Sequence, residues 1–519
     1  MVRPLERRGT PGTILMAIES GSHPNRLLIA LIVAAGGARV CMFLVTGYFL
    51  DDPFITYRYA ENIVRGVGFV YNPAEHVLGT TTPLYTLMLA GLALVFGTGT
   101  IPLLSIVISI FADMTSVVLV WKILSRFDVA VRLIVCLLVA LYPKTVLIGV
   151  SGMEASLVVL LMLLSYRLMN RESVVSAYAA FGALLLTRPD GIFWMVGVIV
   201  WFSYTLRKGG ARAIPVTVAV LAPWIIFSWI TFGSIIPHSV TAKRISWDHL
   251  YPAFDPVRVL IRYFPFEGFS TWSAAGQTLA VIVFLVPVVM SAAVLWRKKD
   301  PLAIFPLFFL GYSVFFSMAK VSTDMWYYLP GYVAYFVSSG SLLDWLRTRI
   351  ARTHAGMYDA PLVYGTGTVM VVLLAFGMAR WSQNPAEWFH RHFVDLGVWM
   401  RSHADPDDTV FLEGIGYVGW DSKMYISDAV GLVSPDVLAY RMQYPRSDSW
   451  YIRYIRDRKP DFVVLRHWEI ARNRLFLGWG DGLFPHVADR EWFLHEYQEV
   501  RWNERVQEDS VHFVVFRKR

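Results

Sequence analysis

Two adjacent carboxylates, Asp51 and Asp52, directly follow the first long apolar run, in the stretch Asp51-Asp52-Pro53-Phe54-Ile55-Thr56-Tyr57-Arg58-Tyr59-Ala60-Glu61-Asn62. A carboxylate pair at a membrane boundary is a functional candidate, because unpaired charge is expensive there. Aspartate before proline also reads as an N-cap and first helical residue, which predicts a helix over 53–66 capped by Asp52. Asp51 is then free to face a cavity as a general base that takes a proton from an acceptor hydroxyl. Repulsion between the two carboxylates would raise the proton affinity of one of them. Arg58, Glu61, Asn62 and Arg65 share one helix face and Ile55, Tyr59 and Ile63 another, the pattern of an amphipathic helix on a membrane surface.

Other polar residues could serve the same chemistry. Glu154, in Ser151-Gly152-Met153-Glu154, is either a second cavity carboxylate or an acid favoured by the helix it begins. Arg188 and Asp190 flank Pro189 as a local ion pair or a ligand contact, and Arg39 and Asp113, inside apolar runs, are expected to pair with each other. His238, Lys243 and Arg244 form a basic cluster that suits a phosphate group. Cys/His metal signatures are absent from the sequence. A hard divalent cation, Mg or Mn, needs only one or two carboxylates plus substrate phosphate, which makes Asp52 the metal candidate.

The elements that must position these groups are membrane helices. The chain has 519 residues, 55% hydrophobic and only 17% charged, with a mean hydropathy of +0.48. Soluble proteins carry about a quarter charged residues, so a polytopic membrane protein is expected. The net charge of +8 is scattered in short clusters between apolar runs, which marks membrane topology and excludes a nucleic-acid groove. Cys41 and Cys136 lie in apolar runs, so no disulfide framework is expected. Residues 1–26 form a basic cytosolic segment ahead of an uncleaved signal anchor.

Twelve apolar runs precede residue 380. Counting all of them as spans from a cytosolic N-terminus puts Lys122, Arg126 and Arg132, together with Arg207-Lys208, Arg297-Lys298-Lys299 and Arg347, outside, against the charge bias. The run 83–97 is too short for a span of about 20 residues. Treating it as re-entrant or interfacial leaves about eleven spans and places every basic cluster inside. The first outer loop, 49–100, then carries the aspartates, and the outer loop 233–275 carries the basic cluster. Another outer loop holds Ser322-Thr323-Asp324-Met325-Trp326-Tyr327-Tyr328. Past residue 380 charges become dense and short β-rich runs such as Thr409-Val410-Phe411-Leu412 appear. We expect a membrane module over 27–380 and an extracytoplasmic α/β domain over 381–519.

Together these pieces resemble the GT-C superfamily of polyprenyl-phosphate-sugar-dependent glycosyltransferases. The resemblance rests on Asp51–Ala60, Gly66-Val67-Gly68-Phe69-Val70-Tyr71-Asn72-Pro73, Thr81-Thr82-Pro83-Leu84-Tyr85, Ser151–Glu154, Leu186-Thr187-Arg188-Pro189-Asp190-Gly191 and Phe232-Gly233-Ser234-Ile235-Ile236-Pro237-His238-Ser239. It is nearest to the mycobacterial terminal arabinofuranosyltransferase branch, with protein mannosyltransferases and the lipid A aminoarabinose transferase further off. In the C-terminal region only Ser427-Asp428-Ala429-Val430-Gly431-Leu432 is similar to the family.

The resemblance implies a polytopic GT-C fold of about eleven transmembrane helices plus interfacial helices. It also implies a catalytic acid at Asp51 or Asp52, and a second acidic position at Glu154. Arg58, Arg188, His238, Lys243 and Tyr327 would hold the donor phosphate and sugar. The implied reaction moves an arabinofuranosyl, mannosyl or similar sugar from a polyprenyl phosphate to a glycan, lipid or protein hydroxyl outside the bacterial cytoplasmic membrane. His238 and Thr80-Thr81-Thr82 depart from the family's pattern, so neither sugar nor acceptor is named by it. The rival reading, a transporter or flippase of a lipid-linked saccharide, predicts repeat symmetry and midplane charges. This chain instead gathers its polar residues at one face.

Overall fold

A computed structural model describes residues 24–207, 213–247, 252–264, 273–350, 359–382, 385–405, 407–444, 450–466, 477–478, 481–482, 486–502 and 513–519. Its first part is a helical bundle. Helix α1 (Pro24–Thr46) leads into the loop 49–100, which contains α2 (Asp52–Val64) and α3 (Pro83–Phe96). Next come α4 (Ile101–Ile123), the bent pair α5 (Val129–Leu141) and α6 (Pro143–Gly149), α7 (Ala155–Asn170), α8 (Val174–Thr187) and α9 (Ile192–Val200). Then follow α10 (Ile214–Phe232), α11 (His238–Trp247), α12 (Pro256–Ile261), α13 (Ala274–Arg297), α14 (Ile304–Met318), α15 (Leu329–Ile350) and α16 (Asp359–Ser382).

Among the described residues, five helices are long and apolar enough to cross a membrane, and six if the pair α5–α6, bent by 48° before Pro143, is one span. The chain is a multi-pass membrane protein. The span count by that criterion is smaller than the expected number, because several apolar runs form shorter helices such as α7 and α8. Helix α3, with 14 residues, reaches about 21 Å and cannot cross a hydrocarbon core of about 30 Å. Proline opens it, and Gly97, at φ +89°, ends it in a conformation that suits glycine.

The buried charges of the bundle are paired. Arg39 and Asp113 meet as expected, at 2.6 Å, and the Arg39 guanidinium also donates to the carbonyls of Ala35 and Ala140. At one end of the bundle Arg126 pairs with Asp300, and Arg347 lies 3.2 Å from Asp128. Three of the basic loops are thereby gathered at a single end. If that end is cytosolic, Gly99→Cys and Asp128→Cys, each in a Cys41→Ser/Cys136→Ala background, label with an impermeant thiol reagent from opposite sides. Gly99→Cys should react from outside; labelling of both from the cytosolic side would reverse the assignment.

The C-terminal part begins with α17 (Pro385–His403) and builds a five-stranded sheet in the order β2-β1-β3-β7-β6. Its strands are β1 (Thr409–Leu412), β2 (Tyr425–Asp428), β3 (Phe462–Arg466), β6 (Tyr497–Val500) and β7 (Phe513–Lys518); β4 (Leu477–Gly478) and β5 (Asp481–Gly482) pair separately. β1 runs parallel to β2 and β3, while β7 is antiparallel to β3 and β6. Helices α18 (Ile415–Ser422), α19 (Pro435–Gln443), α20 (Trp450–Arg458) and α21 (Val487–Glu496) complete it.

Alternation along the strands divides the sheet's two faces. Phe411, Val463, Leu465 and Phe516 pack on Trp450, Tyr451, Tyr454 and Phe493. Val410, Leu412, Phe462, Val464 and Val515 belong to a core that continues through Phe393, Ile415 and Val418 into Phe54, Tyr57 and Tyr59 of α2. One apolar core thus joins the sheet to the loop 49–100. This corrects the reading of α2 as a surface helix. Residues Pro53–Asn62 are all buried, because the polar face that would have met headgroups is covered by the C-terminal domain.

Candidate active site

The loop 49–100 is held from two sides. Below α2, the Tyr57 hydroxyl meets Ser105 Oγ at 2.5 Å, and the Tyr57 and Tyr85 hydroxyls both donate to the Gly152 carbonyl, at 3.1 and 3.0 Å. Above it, the Arg58 guanidinium donates to the carbonyls of Tyr71, Gly419 and Met424 at 2.8, 2.9 and 2.7 Å and stacks over the Tyr71 ring. Arg58 is therefore a brace between the loop and the C-terminal domain, not a donor-phosphate ligand. Its burial with carbonyl partners satisfies the cation inside the protein.

The two aspartates are placed differently from the sequence expectation. Helix α2 begins at Asp52 with Asp51 in the capping position, and no side-chain cap bond forms. The Asp51 carboxylate instead caps a helix of the other domain. Its Oδ2 accepts from Gly416 N at 2.9 Å and its Oδ1 from Tyr417 N at 2.8 Å, at the start of α18. Burial, only partly offset by those two amides, pushes its pKa up to about 7, and Asp52 and Asp428 add to the rise. Such a proton affinity would suit a base. Each oxygen nonetheless takes a backbone donor, which holds the carboxylate against the start of α18.

Asp52 faces the other way. Its Oδ2 lies 3.7 Å from the Lys243 ammonium of α11, and its side chain is about one-third exposed. Lys243 also sits 6.0 Å from the Trp326 ring centre. Burial opposes its charge, but Tyr327, Asp52 and Asp324 around it raise its pKa above the usual lysine range. Asp324 is pushed up to about 6 by burial, against the pull of Lys243. The position of Asp324 in its loop was visible in the sequence; its partnership with Lys243, 81 residues earlier by numbering, carried no local signal.

Beside this pair stands a second charged group. Arg188 donates Nε and Nη2 to the two oxygens of Asp190, at 2.9 and 3.1 Å, and Nη1 to Glu154 Oε1 at 3.1 Å. Its guanidinium covers the Tyr327 ring at 4.2 Å, and Tyr312, which nothing in the sequence singled out, donates to Asp190 Oδ2 at 2.6 Å. Burial raises the pKa of Glu154, while Arg188 pulls it down. Glu154 and Arg188 are thus partners of each other. The structure brings Asp52, Lys243, Tyr327, Arg188 and Glu154 to one end of the bundle, opposite the basic loops.

His238 is not brought to Lys243. Five residues apart on a helix turns them about 140° from each other. The His238 backbone N–H donates to the Leu78 carbonyl at 2.8 Å, and its ring lies against the Gly431 backbone. Among the described residues no group of three or more His, Cys, Asp or Glu side chains converges as a metal-ligand set. At Asp52, the proposed metal ligand, the neighbouring cation position is filled by the Lys243 ammonium.

Residues 382–514 match the family described as "Domain of unknown function (DUF8728)". No curated protein matches the chain by sequence. In fold it is similar to ArnT from Cupriavidus metallidurans bound to undecaprenyl phosphate, at 12% identity over 94% of this chain and 97% of that chain, with a TM-score of 0.57. Against the apo state of that protein the identity is 14%, the coverage the same and the TM-score 0.55. The architecture is an ArnT-like fold, a multi-helix membrane module carrying a C-terminal sheet domain.

Proposed function

We propose that this protein is a glycosyltransferase that takes a sugar from a polyprenyl phosphate at the extracytoplasmic face of the cytoplasmic membrane. The observation that carries the reading is the Asp52–Lys243 pair, a solvent-reached carboxylate beside a partly buried ammonium. Asp52 accepts the proton of an acceptor hydroxyl, whose oxygen forms the new bond to the anomeric carbon. The bond from that carbon to the phosphate oxygen breaks, and the leaving phosphate keeps the electron pair. Lys243 receives its negative charge. Attack from the face opposite the leaving group inverts the anomeric centre. Arabinofuranosyl and mannosyl donors, and glycan, lipid or protein acceptors, fit this scheme.

The ArnT neighbour was solved with undecaprenyl phosphate, and an apolar cavity in this chain supports a lipid-linked donor. A cavity of about 210 Å³ between α5, α13 and α15 is lined by Leu138, Tyr142, Tyr263, Phe284, Tyr335 and Phe336. Arg262 is exposed beside it, and its carbonyl accepts from Tyr332. An apolar chamber with a cation at its rim suits an amphiphile with an anionic head.

Undecaprenyl phosphate binding to the protein in nanodiscs tests the reading. Lys243→Ala should weaken it by about 1–3 kcal/mol, the range for losing a charge-assisted contact. Unchanged affinity would remove Lys243 from the phosphate site. Loss of label from a panel of radiolabelled polyprenyl-phosphate sugars then identifies the sugar; transport of the intact lipid-linked saccharide across the bilayer would favour the flippase reading instead.

A further inference from the structure

The two halves of the proposed site sit on separate elements that hardly support one another. Asp52 belongs to α2 and Lys243 to α11, and their side chains meet only across the 3.7 Å gap. Both elements are gripped by the C-terminal domain.

On the α2 side, α18 ends its free amides on Asp51, the residue directly before Asp52. A methyl group at Gly416 would overlap the Asp51 carbonyl and carboxyl, and one at Gly419 would overlap the Tyr71 hydroxyl and the Arg58 guanidinium. Glycine at these two positions permits the close approach. The Tyr71 hydroxyl donates to the Ile415 carbonyl at 2.7 Å, the rings of Phe54 and Tyr417 lie 4.0 Å apart, and Lys423 pairs with Glu61.

On the α11 side, the segment after β2 makes the contact. Asp428 accepts from the amides of Val430, Leu432 and Val433, which folds 428–433 into a closed turn. Ser246 of α11 donates to the Val430 carbonyl at 3.2 Å, and Ala242 packs in the same core as Val430, Leu432 and Val433. The two grips are rigidly connected. Only Lys423 and Met424 separate α18 from β2, and the Asn72 side-chain amide binds both the N–H and the carbonyl of Ile426 within β2.

Building on the proposed function, we infer that the C-terminal domain is a clamp that sets the separation of Asp52 and Lys243, with Asp51 as the positioning residue of its α2 jaw. The domain's role is then to complete the phosphate and base sites from above. Asp51 acts on the reaction through Asp52 and touches no substrate.

The test measures undecaprenyl phosphate affinity of the full chain in nanodiscs, together with hydrogen exchange of the amides at 416–417. Gly416→Ala should speed exchange there and lower affinity about tenfold, with Asp51→Asn, which keeps one acceptor oxygen, falling between it and the unaltered protein. If Gly416→Ala does not fold, Lys423→Ala, at the partly exposed far end of the same jaw, takes its place. Arg456→Gln loosens the domain at Asp489, on the sheet face turned away from α2 and α11, and should leave affinity unchanged. A folded Gly416→Ala that binds as the unaltered protein does, while Lys243→Ala binds weakly, overturns the clamp and leaves the proposed function standing. Equal weakening by Arg456→Gln also overturns it, because any loosening of the domain would then suffice. If Lys243→Ala has no effect but Gly416→Ala does, the clamp is overturned, because the domain would then act on binding by a route other than the Asp52–Lys243 separation.

Discussion

Asp52→Asn is expected to lower turnover about a hundredfold to ten-thousandfold, the effect of removing a general base, while undecaprenyl phosphate still binds. Asparagine keeps the shape and one acceptor oxygen but has no basic site at neutral pH. The contacts that hold α2 do not involve the Asp52 side chain, so folding and domain docking should persist. Asp51→Asn is expected to behave otherwise. It loses one of two amide contacts to α18, so donor affinity and domain docking weaken along with rate. Steady-state rates on the donor identified above, paired with hydrogen exchange at 416–417, separate the two variants. Full turnover in Asp52→Asn would return the base to Asp51, despite the two amides on its carboxylate.

The second large effect is on stability. Arg188→Met removes the one cation that Glu154 and Asp190 share. Two enclosed carboxylates and the Tyr312 hydroxyl are left facing each other, and breaking a buried pair in this way costs about 3–5 kcal/mol. A large fall in thermal midpoint in detergent is the expected reading. Because apolar or neutral replacement of a whole buried pair is often close to neutral, the triple variant Arg188→Met/Glu154→Gln/Asp190→Asn should recover most of the loss. If Arg188→Met is as stable as the unaltered protein, Arg188 is held for a ligand and not for the fold.

Much of this protein is written in short-range patterns. The apolar runs, their Pro and Gly borders and the basic clusters between them identify a multi-pass helical protein, since span length and charge bias are read a few residues at a time. The short β-rich runs Thr409–Leu412 and Phe462–Leu465 mark two strands of the sheet for the same reason. The pairing of Arg39 with Asp113 was also legible, because two charges in apolar runs have few alternatives.

The site itself was legible in its members more than in their roles. Asp52, Lys243, Glu154, Arg188 and Tyr327 all stand in segments whose polarity at a bilayer boundary needs a reason. Which of two neighbouring aspartates faces substrate could not be read locally. An aspartate before Asp-Pro reads as free, yet Asp51 finds its partners 365 and 366 residues later, on α18. Arg58 looked like a phosphate ligand for the same reason; its acceptors at Gly419 and Met424 come from the far end of the chain. Sequence periodicity alone determined that α2 is a helix with a polar face. Only the tertiary structure decided that this face meets a protein domain in place of lipid headgroups, because what covers a polar face depends on which distant segment docks there, and docking leaves no local pattern.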